Sequence, residues 1–318
     1  MTDRLRSGAT IALLFILFCT AAHGQYDAEH LTPTMDPNTE QRFSCEKLRL
    51  YPIIANETFR AANKDIGKAV PMNKALQDGR LKINEHADGA TVNTLQAVNT
   101  SQDTIYLMQG EVIVGGKQDR MLANDVLVAP GATMDIAAFC VEHGRWSGNG
   151  DGKSFTGTVG VVAQDVRKVA AVEKEQEMVW DKVAYNVSMN AALAPTGSYA
   201  DMLDDKEYQA QRAAYRERLK GLPVACSGIV GVVAVSGNKV VGCDVFANEA
   251  LFTQAYTQLI DAYIAEALNK GGKVTMTDTE VQTYFRTLFA DETKLEEKAK
   301  GNGYIFKAKD RTYRVSIF

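Results

Sequence analysis

Apolar and polar positions along this chain follow two periods, and the switches between them set the expected order of elements. An apolar run from Ile11 to Phe18 stands between the basic Arg4 and Arg6 and the small-x-small triplet Ala22-His23-Gly24. A basic head, a short apolar core and a small-residue end mark residues 1–24 as an export signal cleaved before Gln25. The run is too short to span a bilayer comfortably, and no later stretch is long and apolar enough for that. Residues 25–42 are polar and carry Pro33 and Pro37, which predicts a flexible arm.

A period of two then dominates. LRLYPIIAN (48–56) reads as a first strand, AVPMNKALQDG as a loop or short helix, and LKINE and VNTLQAVNTS alternate as half-exposed strands. EVIVG, DVLVA and MDIAAFCVE are rich in β-branched and apolar residues and end at glycine or proline. A polar Gly/Ser loop is expected from Ser147 to Gly157. From Val161 to Asn186 the composition turns helical without one clean stripe, which predicts one or two helices. PTGSY (195–199) reads as a turn that helps cap the next helix, or as a hydroxyl and aromatic ligand loop.

Lys206 to Lys220 is a charged surface helix, and IVGVVAV with KVVGCDVF forms a hairpin about Ser236-Gly237-Asn238. Asn248 caps a helix in which Leu251, Phe252, Tyr256, Leu259, Ile260, Tyr263, Ile264 and Leu268 recur at three and four. VQTYFRTLFA is a further helix and GYIFKAKDRTYRVSIF a terminal hairpin. The fold class expected is therefore α+β. A β-rich sandwich or jelly-roll-like lobe covers 43–165, and a lobe of helices packed on antiparallel hairpins covers 166–318.

The densest run of reactive side chains is GEVIVGGKQDRMLANDVLVAPGATMDIAAFCVEHGRW, Gly110 to Trp146. It sets up a candidate site at one rim of the first lobe. Cys140, Glu142 and His143 are the candidate catalytic residues: a thiol, an imidazole to take its proton, and a carboxylate to orient the ring. Cys and His three apart on a strand point to opposite faces, so this triad needs a turn at His143-Gly144. As a binding site the same run offers Arg120 and Arg145 to fork onto phosphate or carboxylate. Gly115 and Gly116 can expose amides, Trp146 offers a stacking face, and Glu111, Gln118 and Asp119 can meet hydroxyls. The bland alternative is that these charges pair with each other and brace the sheet. His30, His86 and His143 are the histidines left after leader removal, with no His-x-His, so no metal site is assigned.

GEVIVGGKQDR, DVLVAPG, FCVEHGRW, PTGSY and VVAVSGNKVVGCDVFANEALF resemble the family called the ARG and rhodanese-phosphatase-superfamily-associated protein domain. The resemblance runs from about Lys47 to the C-terminus. It implies a role near NAD or ADP-ribose metabolism, through genomic association with ADP-ribosylglycohydrolases, and implies no catalytic residue set. The export signal departs from a cytosolic nucleotide pathway.

Composition adds limits. The 318 residues are 46% apolar and 23% charged with a net charge of −4, as in an ordinary globular protein. Without a long basic run, nucleic acid is not an expected partner, and none is expected of the membrane once the leader is gone. A small anionic molecule is the expected ligand; no cofactor is indicated, and the residues leave open whether the chain is an enzyme. Cys45, Cys140, Cys226 and Cys243 remain after cleavage and allow three pairings. A hairpin turn at Gly237-Asn238 puts Gly231 or Val232 opposite Cys243, which leaves Cys226 roughly 15 Å away and opposes a bridge between the two.

Overall fold

The computed structural model describes residues 26–34, 43–86, 93–146, 154–190 and 194–318. The expected leader lies outside the described residues, as does half of the expected arm (residue 25 and residues 35–42). The chain opens with β1 (Leu31–Pro33), β2 (Ser44–Cys45) and β3 (Leu48–Ala55). Helix α1 (Glu57–Asn63) follows, started by the Asn56 side chain, which accepts from the Phe59 amide. Next come β4 (Val70–Pro71), α2 (Met72–Gln77), β5 (Leu81–Glu85), β6 (Thr94–Asn99) and β7 (Ile105–Leu107). The central run supplies β8 (Glu111–Gly115), β9 (Arg120–Leu122), β10 (Val126–Val128) and β11 (Thr133–Cys140), and then β12 (Phe155–Val161).

Helix α3 (Gln164–Lys168) widens into a π turn at Val169–Glu173, ended by Lys174 in the left-handed conformation. Helices α4 (Gln176–Asn190), α5 (Tyr199–Asp204) and α6 (Lys206–Leu219) complete this stretch. The hairpin β13 (Ile229–Ser236) and β14 (Lys239–Phe246), helix α7 (Glu249–Lys270), α8 (Asp278–Leu288), α9 (Glu292–Asn302) and the hairpin β15 (Gly303–Ala308) and β16 (Arg311–Ile317) finish the chain. The class is α+β, as the periods imply.

One antiparallel sheet runs β1-β3-β13-β14-β16-β15, with β2 on β3. Alternation along β13 sends Val232 and Ala234 to a core shared with α7, and Val233 and Val235 to a core shared with α8 and α9. Helices thus cover both faces of this sheet. A second sheet runs β12-β8-β9-β11-β6-β5, and an isolated bridge between Asn84 and Ser154 draws its two edges together. It therefore curls around a core of Ile83, Leu95, Ile113, Leu122 and Ile136. A small sheet, β10-β7-β4, packs beside it.

Three findings differ from the reading of the sequence. LRLYPIIAN lies beside β13, so the first long strand belongs to the sheet of the second half. Part of the expected flexible arm is packed: β1 pairs with β3, and the buried Tyr26 donates to the Thr312 carbonyl. In the β13–β14 hairpin, Cys243 faces Val233, because a bulge between Ala234 and Val235 shifts the register. Cys45, Cys140 and Cys243 are free thiols.

A buried charged seam joins the halves. Asp244 accepts from Arg167 at 3.2 Å and Arg314 at 2.6 Å, and from the Ser316 and Tyr263 hydroxyls. Arg314 also reaches Asp125 at 3.1 Å, in the turn before β10. Two guanidinium groups hold the Asp244 carboxyl well below its usual range despite complete burial.

Candidate functional site

The rim is built by register. In the β9–β11 pair, Arg120 lies directly opposite Cys140, and the side-chain period places Cys140 and Glu142 on one face. Arg120 is fully buried; one of its terminal nitrogens donates to the Cys140 sulfur at 2.7 Å and to Gln118 Oε1 at 2.9 Å. Its other terminal nitrogen lies 3.4 Å from Glu85 Oε1. Burial pushes the Cys140 thiol above its ordinary range, and the Arg120 charge opposes that only in part. Gln176, at the start of α4, pairs with both backbone groups of Cys140 at 2.9 Å, as a neighbouring strand would.

Arg145 closes the other half of the rim. Its fork takes Glu142 at 2.6 and 2.8 Å and Asp119 at 3.1 Å, and it also donates to the Gly115 and Gly116 carbonyls. Asp119 in turn accepts from the Ser198 hydroxyl at 2.7 Å, while Gln118 donates to the Glu142 carbonyl. The two carboxyls move in opposite directions. Burial raises Asp119; for Glu142, burial is outweighed by the Arg145 fork and the Asp119 amide, and it falls.

Glycine is required at two places. Gly116 has φ +55°, and a Cβ there would meet the Phe155 ring at 2.7 Å. At Gly144 a Cβ would lie 2.8 Å from the Thr196 carbonyl, to which its own amide donates. That contact brings the PTGSY segment to the rim, where Ser198 both caps α5 and binds Asp119.

The structure therefore gathers Gly115, Gly116, Gln118, Asp119, Arg120, Cys140, Glu142 and Arg145. Trp146 stands above them, 57% exposed, with Lys117 at 5.5 Å and Arg120 at 6.0 Å from its ring. Two candidates fall elsewhere. His143 is exposed and sets its ring edge-to-face on Trp180 at 4.6 Å; among the described residues no hydrogen bond links it to Cys140. Glu111 lies at the opposite end of β8 from the glycines, where its carboxylate accepts from the Met108 amide at 2.8 Å. Burial pushes Glu111 up to about 8, with Asp125 adding to the rise.

Glu85 and Gln176 are rim residues that the sequence reading missed. Glu85 ends an ordinary alternating strand and Gln176 begins a helix, so neither carried a local signal; only the fold brings them in. Among the described residues no group of three or more His, Cys, Asp and Glu could hold a metal ion. His86 instead lies 3.3 Å from Asp135.

The sequence model of one family, described as the ARG and Rhodanese-Phosphatase-superfamily-associated Protein domain, matches residues 38–316. No curated protein and no solved structure matches the chain.

Proposed function

The chain belongs to that family, and we propose that it acts as a non-catalytic, exported binding module whose rim braces the sheet. The observation that carries this reading is the closed fork of Arg145 on Glu142 and Asp119. An arginine whose donors already face two carboxylates and two carbonyls has few left for a ligand. The thiol chemistry points the same way. A nucleophilic cysteine needs its thiolate favoured, and Cys140 is 1% exposed with its acidity lowered by burial. Export rests on the basic head, apolar core and Ala22-His23-Gly24 triplet.

A second reading keeps an anionic, nucleotide-like ligand at the rim, in line with the ADP-ribose association that the family resemblance implies. The exposed Trp146 face, flanked by Lys117 and Arg120, favours it, as does the buried Arg120 Nε, which has no acceptor among the described residues.

Replacing Arg120 or Arg145 with Lys separates the two readings, because the charge stays and the planar fork goes. The binding-module reading expects each variant to lose on the order of 1–3 kcal/mol of stability in denaturant melts. It also expects native Cys140 to resist a thiol reagent. Titration with ADP-ribose then gives no heat that depends on either arginine. An ADP-ribose affinity that falls about tenfold in both variants, at unchanged melting temperature, refutes the brace and supports the rim ligand.

A further inference from the structure

Away from the rim, an open cleft of about 440 Å³ lies between the loop after α1, the small sheet and the terminal hairpin. Its walls come from three parts of the chain. Lys68 follows α1, Leu127 lies on β10, and Lys309, Arg311 and Tyr313 belong to the β15–β16 hairpin. Of the lining residues, only Asp65 is acidic. Among the described residues, none of Lys68, Lys309 and Arg311 is paired with a carboxylate. The chain as a whole carries −4, so a surplus of two positive charges here runs against its net charge.

Arg311 is held for use. Its Nη2 donates to the Ala62 carbonyl at 2.5 Å and to Asn63 Oδ1 at 3.2 Å. Asn63 is itself buried and fixed by its bond to the Phe59 carbonyl inside α1. Both acceptors on Arg311 are neutral, so the guanidinium is positioned without losing its charge, and donors remain for a ligand. Lys309 and Asp310 form the two-residue turn of the hairpin with φ of 50° and 58°. Turns of this kind favour Asn and Gly, because a side chain crowds the following carbonyl at positive φ. A lysine at such a position carries a local conformational cost.

We propose that this cleft binds a small-molecule phosphate ester, the phosphate held by Lys68, Lys309 and Arg311 and the carbon skeleton lying on Tyr313 and Leu127. A phosphate monoester carries about −1.5 to −2 at neutral pH, which matches the cleft's surplus; a single carboxylate matches about half of it. The Arg311 Nε and Nη1 hydrogens, which the Ala62 and Asn63 contacts leave unused, can each donate to a phosphate oxygen, and the lysines act as point charges. Tyr313 packs on Phe306 with ring centroids 5.7 Å apart, and Phe306 stacks on Tyr106 at 6.3 Å, which gives the apolar wall a rigid backing.

The proposal gives a ligand class and a place to the binding module proposed above, and in that sense rests on it. Calorimetric titration of the chain without its leader, using phenyl phosphate, phenol, inorganic phosphate and inorganic sulfate as probes, tests it. Phenyl phosphate should bind, inorganic phosphate and sulfate more weakly by about tenfold, and phenol not at all. Lys309→Asn restores a residue suited to the turn, so its melting temperature should hold or rise. Its affinity for phenyl phosphate should nevertheless fall tenfold or more, about 1.4 kcal/mol. Lys68→Ala should weaken binding in the same way. Arg145→Lys should leave it unchanged, so a failure of the rim reading is visible separately. Equal affinity of the unaltered chain and Lys309→Asn, or sulfate binding as tightly as phenyl phosphate, overturns the proposal.

Discussion

Glu111→Gln should stabilise the protein, and by an amount that grows with pH. In the folded chain the Glu111 carboxyl is buried and pushed up to about 8, from an ordinary value of 4.5. Burial is the main cause and the Asp125 charge adds to it, while the Met108 amide and Arg314 pull the other way. Below about pH 4.5 both states keep the proton and the fold carries no penalty. Between about 4.5 and about 8 the unfolded chain releases the proton and the folded chain retains it, so stability falls as pH rises. Above about 8 both states are ionised and the loss is complete.

Each unit of that window corresponds to about 1.4 kcal/mol, so the ceiling is roughly 4–5 kcal/mol. Gln keeps an oxygen for the Met108 amide and has the shape of the protonated acid. The variant should therefore exceed the unaltered chain by less than about 1 kcal/mol at pH 5 and by roughly 3–4 kcal/mol at pH 7, and approach the ceiling at pH 9. Urea midpoints at the three values, with slopes compared so that a change in compactness is not mistaken for stability, give the difference directly. Asp125 and Arg314 are present in both proteins, so what they contribute cancels to first order. A difference that does not vary with pH, or a variant less stable at pH 9, refutes the reasoning.

Two further substitutions probe the interior. Asp244→Asn leaves Arg167 and Arg314, both fully buried, without their shared counter-charge; denaturant melts should show a loss of about 3–5 kcal/mol, and a loss below about 1 kcal/mol contradicts the seam. Leu259 is fully buried on α7, so Leu259→Ala should cost about 2–5 kcal/mol; a midpoint change worth under half a kcal/mol shows that the helix face is not core.

Elements with a strong period were legible. The spacing of Leu251, Phe252, Leu259 and Ile260 located α7, and the run of valines located the β13–β14 hairpin. Helices α1 and α9 were missed for a shared reason. Only Phe59 and Asn63 are buried in α1, and only Leu295 and Ala299 in α9, so neither writes an apolar stripe into the sequence. Sheet membership was also out of reach. The pattern of β3 says that it is a strand, whereas its partner β13 lies far along the chain and is chosen by tertiary packing.

The rim shows the same division between local and distant information. Its glycine and charge density was visible because neighbours in sequence on paired strands stay neighbours in space. Arg120 meets Cys140, and Arg145 meets Asp119, within a span that the eye can take in as one motif. Glu111 looked like part of that motif and is not. A strand advances about 3.3 Å per residue, so the run from Glu111 to Gly115 separates its ends by roughly 13 Å. That length moves Glu111 from the salt-bridged rim to the buried Asp125 and Arg314 seam, where the same carboxyl is pushed up rather than paired. Conversely, Glu85, Gln176 and Ser198 reach the rim from outside the motif. What decides the chemistry at Cys140 is thus a set of contacts across the fold, with Arg120 over the sulfur and Gln176 on the backbone, and these leave the thiol covered.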